Sequence, residues 1–295
     1  MQRVPPLIPG KVVTSRHNPL VKRFRDLARS HRPDQPTLLL DGARLVGEAL
    51  GAHLTIACAA FSQSALSDAA HAELVQRLAA TGADIVTVSD TVLSALSPVR
   101  SPSGVVAIGE HRPSSLEAAF ERPPQLVFIA VDLQDPGNAG ALVRAAEAAG
   151  ATSVVFCGAS ADPFAWKALR GSMGSALRLP VVPRVEPVQA VEAARRLGVR
   201  VIAAAPREGV SLYDTDLTGP AAILFGGEGP GLAPALLAHC DARLSIPMRA
   251  PVESLNVAVA AAVVGYEAFR QRAPRGGPAA RRRTTGTTRA AQPWR

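Results

Sequence analysis

Cysteine is scarce in this chain, and so is any pattern that would use it. The three cysteines, Cys58, Cys157 and Cys240, lie far apart and form no Cys-x-x-Cys pair. That argues against a disulfide framework and a cysteine zinc site, and it points to a reducing cytoplasm. The six histidines have no metal-ligand spacing, so no metal is expected. Aromatic residues make up 4% of a chain that is 47% hydrophobic, with much Ala and Val. Such a composition suits helices packed on a parallel sheet. No apolar run approaches the length of a membrane span, and Met1-Gln2-Arg3-Val4-Pro5-Pro6 does not begin a signal peptide. Nucleotide patterns are missing too. There is no G-x-x-x-x-G-K-[ST], and no G-x-G-x-x-G follows the first strand of an α/β unit. Ser254 has no His or Asp placed to make a triad evident.

What is present is an uneven distribution of charge. The net charge is +8, but residues 1–32 carry +7, residues 270–295 carry +8, and the body between them carries −7. Basic ends on an acidic body suggest contact with a polyanion. Neither end has a large apolar helical face, so RNA is expected rather than membrane. The plain alternative is a pair of solvated tails.

At 295 residues the chain has room for two domains. The spacing predicts a helix from Pro19, capped by Asn18, with Leu20, Phe24 and Leu27 on one face and Lys22 and Arg23 on the others. Strands at 37–40, 54–60, 85–88 and 104–108 then alternate with helices near 45–50, 69–80 and 90–96. This gives a small α/β domain over 11–108. Residues 109–124 are polar and carry three prolines, so they read as a linker with one short helix. A second α/β domain, 125–272, is expected to hold a mostly parallel sheet. Its strands fall at 125–131, 153–157, 199–204, 221–225 and 243–247, with a short one at 181–183. Helices are expected at 141–149, 188–197 and 254–270, and 161–174 reads as a polar segment. From 273 to 295 the composition is that of a disordered basic tail.

Several polar residues fall at or just beyond strand ends, where open α/β sheets bind ligands. Asn138 is expected to cap a helix, and Arg144 lies on its second turn. Glu228 stands in a loop with four glycines in six positions, Gly226 to Gly231. Ser254, as N-cap, and Asn256 open the last helix. Each has a bland reading: Asn138 and Ser254 as mere caps, Arg144 as a partner for Glu147, Glu228 as a solvated turn residue.

Together these segments resemble the SpoU/TrmH family of RNA ribose methyltransferases, in the SPOUT class. The resemblance rests on Asp135-Pro136-Gly137-Asn138-Ala139-Gly140 with Arg144, on Leu224 to Leu232, and on Ile246-Pro247-Met248 with Ser254 to Ala260. Residues 15–19, 40–44 and 101–105 are similar to the substrate-binding domain often attached to that family. Asp41 stands where that domain more usually has glutamate.

The resemblance implies a C-terminal trefoil-knotted SPOUT methyltransferase domain with a smaller N-terminal α/β substrate-binding domain. It implies a homodimer and the cofactor S-adenosylmethionine, held by backbone around Gly226, Ile246 and Leu255. It implies methyl transfer to a ribose 2′-hydroxyl of RNA, ribosomal RNA ahead of transfer RNA. A non-catalytic RNA-binding member of the fold and a base methyltransferase are the alternatives. Arg144 would orient the hydroxyl and an adjacent phosphate, since a guanidinium gives up its proton too reluctantly to serve as a base. Asn138 and Glu228 would fix Arg144, and Ser254 and Asn256 would shape the third loop. Arg16, Lys22, Arg23 and Arg44 are expected to meet RNA.

Overall fold

The computed structural model describes residues 12–29, 36–123, 125–229 and 231–273. Residue 11, residue 124 and all but the first residue of the expected 273–295 tail lie outside them.

Helix α1 (Pro19–Arg29) starts as its sequence dictates. The Asn18 side chain accepts from the Leu20 amide at 2.9 Å, and Pro19 needs no hydrogen-bond partner there. There follow β1 (Thr37–Asp41), α2 (Ala43–Gly51), β2 (Thr55–Ser62), α3 (Ala69–Ala80), β3 (Asp84–Val88), α4 (Asp90–Leu96) and β4 (Val105–Glu110). The strands pair in the order β1-β4-β2-β3. β4 runs antiparallel to both neighbours, and β2 and β3 are parallel. Val21 and Phe24 of α1 bury with Val92, Leu93 and Leu96 of α4 on one face of this sheet. Helices α2 and α3 cover the other. Gly109, expected as the first linker residue, still pairs in β4, so the connection is shorter than the prolines suggested. It contains one helical turn, Ala118–Phe120.

The larger unit runs β5 (Leu126–Val131), α5 (Pro136–Ala148), β6 (Ser153–Cys157), α6 (Trp166–Ser172), α7 (Ser175–Arg178), β7 (Val181–Val185), α8 (Pro187–Arg196), β8 (Arg200–Ala204), β9 (Val210–Ser211), β10 (Ala221–Gly226), α9 (Pro234–Leu237), β11 (Ala242–Ser245) and α10 (Val257–Arg272). Its seven strands lie in the order β7-β6-β5-β10-β8-β11-β9, and every neighbouring pair is parallel. Every residue of β5 is buried, which is why that strand reads as an unbroken apolar run. Helices α5, α6, α7 and α10 pack on one face and α8 and α9 on the other.

Two short helices, α6 and α7, occupy and follow the stretch read as a polar segment. They are too short for a periodicity signal, and packing holds α6 in place. A Cβ on Gly140 of α5 would lie 2.2 Å from the Ala168 carbonyl oxygen, so only glycine lets the two helices approach this closely. The same apolar cluster reaches from Leu38 and Leu40 of β1 through Leu169 of α6 to Phe128 of β5. Arg178 of α7 reinforces this junction, pairing with both Glu147 of α5 and Glu48 of α2.

Candidate active site

The site follows from one feature of topology. β10 lies directly beside β5, with Gly226 opposite Val131, so their following loops leave the sheet edge together. The Gly227 amide donates to the Val131 carbonyl at 2.7 Å. A Cβ on Gly227 would sit 2.0 Å from the Asp132 carbonyl oxygen, and one on Gly226 would sit 2.7 Å from the Gly231 carbonyl carbon. Here the glycines serve close backbone approach.

Two cap assignments are corrected. Asp135, not Asn138, caps α5: its carboxylate accepts from the Asn138 amide at 2.7 Å, and Pro136 opens the helix. Asp135-Pro136 is a signal of the same kind as Asn18-Pro19, which placed α1, and it could have been read from the sequence. Asn256, not Ser254, caps α10. Its Oδ1 accepts from the amides of Ala258 at 2.9 Å and Val259 at 3.4 Å. Ser254 lies exposed in the preceding loop.

These corrections free Asn138 for other work. Its Nδ2 donates to Glu228 Oε1 at 2.5 Å. Its Oδ1 accepts from Asn256 Nδ2 at 2.9 Å. Three of the five expected catalytic residues therefore form one hydrogen-bonded chain across three segments.

Arg144 does not join them. It is exposed and makes no hydrogen bond or ion pair with Asn138, Glu228 or any other described residue. Six positions after Asn138, it is turned about 240° around the helix. Nor does it pair with Glu147, whose carboxylate takes two bonds from Arg178 at 2.8 Å. The expectation that Asn138 and Glu228 fix Arg144 is thus corrected.

Beside the chain lies a cleft of about 730 Å³, within the usual range of roughly 300–1,000 Å³ for small-molecule sites. Gly226, Ile246 and Leu255 line it, as do Glu228, Ser254 and Asn256. Met248, Arg207 and Glu253 also line it and were not expected; the last two form an ion pair there. Of the residues expected to meet RNA, Arg16 and Arg44 line two other clefts, and Lys22 and Arg23 are exposed on α1.

An all-parallel α/β sheet thus carries a glycine-walled cleft and a polar hydrogen-bonded chain at the carboxyl ends of its central strands. The chain belongs to the SpoU rRNA Methylase family: residues 125–266 match it, and residues 18–107 match an MRM3-like substrate binding domain. It is 34% identical to an uncharacterised tRNA/rRNA methyltransferase of Synechocystis, over 88% of this chain and 93% of that protein. It is 32% identical to the 23S rRNA (guanosine(2553)-2′-O)-methyltransferase RlmP of Bacillus subtilis, over 87% and 98%. Among solved structures, the AdoMet-bound rRNA methyltransferase of Sinorhizobium meliloti superposes with a TM-score of 0.77 at 30% identity. That match covers 88% of this chain and 97% of the other. The cofactor of this family is S-adenosylmethionine, and the cleft fits it. Bare glycine backbone offers polar groups without side chains in the way, and Phe225, Ile246 and Leu255 supply apolar walls.

Proposed function

We propose that this chain transfers the methyl group of S-adenosylmethionine to a ribose 2′-hydroxyl of ribosomal RNA. The observation that carries the reading is the chain Asn256–Asn138–Glu228 at the mouth of the glycine-walled cleft. When bound, S-adenosylmethionine supplies a methyl group on a sulfonium, a leaving group that needs no acid. The protein's share is therefore position and electrostatics. Backbone at Gly226, Ile246 and Leu255 holds the donor. Asn138, itself held by Asn256, fixes the Glu228 carboxylate at the cleft, and Ser254 lines the approach. The chain's own residues would orient the attacking hydroxyl toward that methyl group and leave its proton a path to solvent or a neighbouring phosphate. Arg144 orients that hydroxyl and its phosphate.

Arg144 lies outside the residues lining its own chain's cleft, which supports a homodimer in which each Arg144 serves the partner's site. An exposed apolar stripe on α10 supports the same reading: Val259, Tyr266 and Phe269 are 49%, 55% and 53% exposed. The trefoil knot belongs to this reading as well. Its support is the insertion of β10 between β5 and β8 and the return of the 246–257 segment to the β10 loop. In this reading residues 11–108 form the RNA-binding unit, 109–124 the linker and 125–272 the catalytic domain. The cytoplasm is the compartment, in keeping with three free cysteines.

The test offers tritiated S-adenosylmethionine with unmodified ribosomal RNA or transfer RNA, followed by mass spectrometry of the labelled nucleotide. Label on a 2′-oxygen of ribosomal RNA is expected. Label on a base, or none despite bound cofactor, overturns the reading.

A further inference from the structure

Trp166 at the start of α6 lines two clefts at once. One, of about 560 Å³, is bordered by Arg16, Arg25 and Arg29. The other, of about 770 Å³, lies between α2 and α6 and is bordered by Arg44, Lys167 and Arg170. It ends at Asp135-Pro136-Gly137, next to Asn138. All six cations are exposed, and none forms an ion pair with a carboxylate among the described residues. Elsewhere Arg178, Arg195, Arg207, Arg243 and Arg270 are each paired with an acid. Two acids line the second cleft, and both are engaged. Asp41 is 8% exposed, accepts from Ser97 at 2.5 Å and lies near enough to Arg170 to feel its charge, and Asp135 caps α5. The track is therefore a row of exposed cations, none in an ion pair among the described residues, with one half-buried indole at its midpoint.

The geometry points to a site for single-stranded RNA flanking the methylated ribose, with phosphates on Arg44, Lys167 and Arg170 and one unpaired base stacked on Trp166. This rests on the proposed function and adds the form of RNA and the residues that hold it. Cations alone would suit any polyanion, but an indole among them suits a base that has left its stack. Lys167 Nζ lies 5.6 Å from the centre of that ring. A stacked base takes its place, and the ammonium swings to the adjoining phosphate. The track ends at the first turn of α5, so a strand lying in it delivers its next ribose to the Asn138 chain.

The chain has two tryptophans, and Trp294→Phe leaves Trp166 as the sole indole. Full-length protein of this variant is titrated with a single-stranded RNA dodecamer and with the same sequence as a duplex, following fluorescence and salt dependence. The single strand is expected to quench Trp166, and the duplex is not. Arg44→Gln/Lys167→Gln/Arg170→Gln is expected to weaken single-strand binding about tenfold. It should also lower the salt slope by roughly 2, three phosphate contacts at about 0.7 each. Trp166→Leu should weaken binding about tenfold, with Trp166→Phe restoring most of it. Cofactor binding and melting temperature in each variant report on the fold.

Unchanged affinity and slope in the triple variant overturn the site. So does equal binding of the duplex without quenching, or no binding of either RNA by the unaltered protein. The methyl-transfer assay separates the two proposals. Ribosomal RNA methylated equally by the triple variant removes the track and leaves the function standing. Quenching and slope as expected, with no methylation of any ribosomal RNA, removes the function and leaves the track.

Discussion

Asn138 and Glu228 are joined across 90 positions by a hydrogen bond whose direction is set at both ends. Asn256 must turn its amide oxygen to the α10 amides that it caps. Its nitrogen therefore faces the oxygen of Asn138. That leaves the Asn138 nitrogen for Glu228, whose ionised carboxylate can only accept. An aspartate at 138 has no donor to offer and sets two carboxylates side by side. Asn138→Asp is expected to slow single-turnover methyl transfer by roughly 10²-fold or more, the scale for losing one preorganised donor. Adding Glu228→Gln should partly rescue it, because the new amide can donate to the carboxylate now at position 138. Two strictly additive defects would show that the two residues act apart.

Arg144 yields a different kind of prediction because it stands away from that chain. Arg144→Ala should abolish transfer while calorimetry finds cofactor affinity unchanged. Arg144→Lys should not restore it, since a point charge cannot imitate the planar fork. If Arg144 serves a partner's site, inactive Arg144→Ala and inactive Glu228→Ala chains should complement on mixing. Half of the exchanged dimers would be mixed, each with one intact site, returning roughly a quarter of the activity. No recovery, with subunit exchange shown by native mass spectrometry, would place Arg144 in its own chain's site.

The limits of the sequence lie where tertiary packing overrides local pattern. The buried strands were legible because a sheet covered on both faces leaves an unbroken apolar run, as in β5 and β10. Helix α3 was legible in the stretch that ends at Gly82. Helices α6 and α7 were not, because Gly140 and Ala168 hold α6 by a contact between distant residues. The polar constellation was legible as a set but not as a wiring diagram. Asn138 looked like a cap, and only Asp135 in that role released its side chain for Glu228. The neighbouring of β5 and β10, which assembles the site, rests on a strand order that no local signal encodes.

Arg178 gives a prediction in pH. Its guanidinium bonds hold the Glu147 carboxyl below the ordinary glutamate value of 4.5, against the opposing pull of partial burial. A carboxyl depressed on folding stabilises the folded state above its unfolded value, and that contribution fades as pH falls through the folded one. Wild type should therefore melt higher than Arg178→Gln at neutral pH, with the gap closing between about pH 5 and pH 3. Arg178 also binds Glu48 of α2. Proteolysis at neutral pH should thus cut the 111–123 connection faster in the variant. A gap in melting temperature that stays constant with pH would assign the effect to packing of the arginine stem instead.

Gly227 offers the sharpest steric test, because Gly219 in the same domain serves as its control. An added Cβ at 227 meets the Asp132 carbonyl oxygen at 2.0 Å, and its nearest neighbours are all backbone of Asp132 and Leu133, with no flexible side chain to yield. At 219 an added Cβ meets nothing within 4 Å. Gly219→Ala should stay within about 0.5 kcal/mol of wild type, the range of a neutral surface change. Gly227→Ala must push apart the ends of β5 and β10, at a cost on the order of 1–3 kcal/mol for overpacking. That movement also separates Asn138 from Glu228. The variant should therefore lose cofactor affinity and transfer together while its far-ultraviolet spectrum stays native. Normal cofactor binding by folded Gly227→Ala protein would mean that the cradle tolerates a methyl group, and that its glycines do not serve close approach.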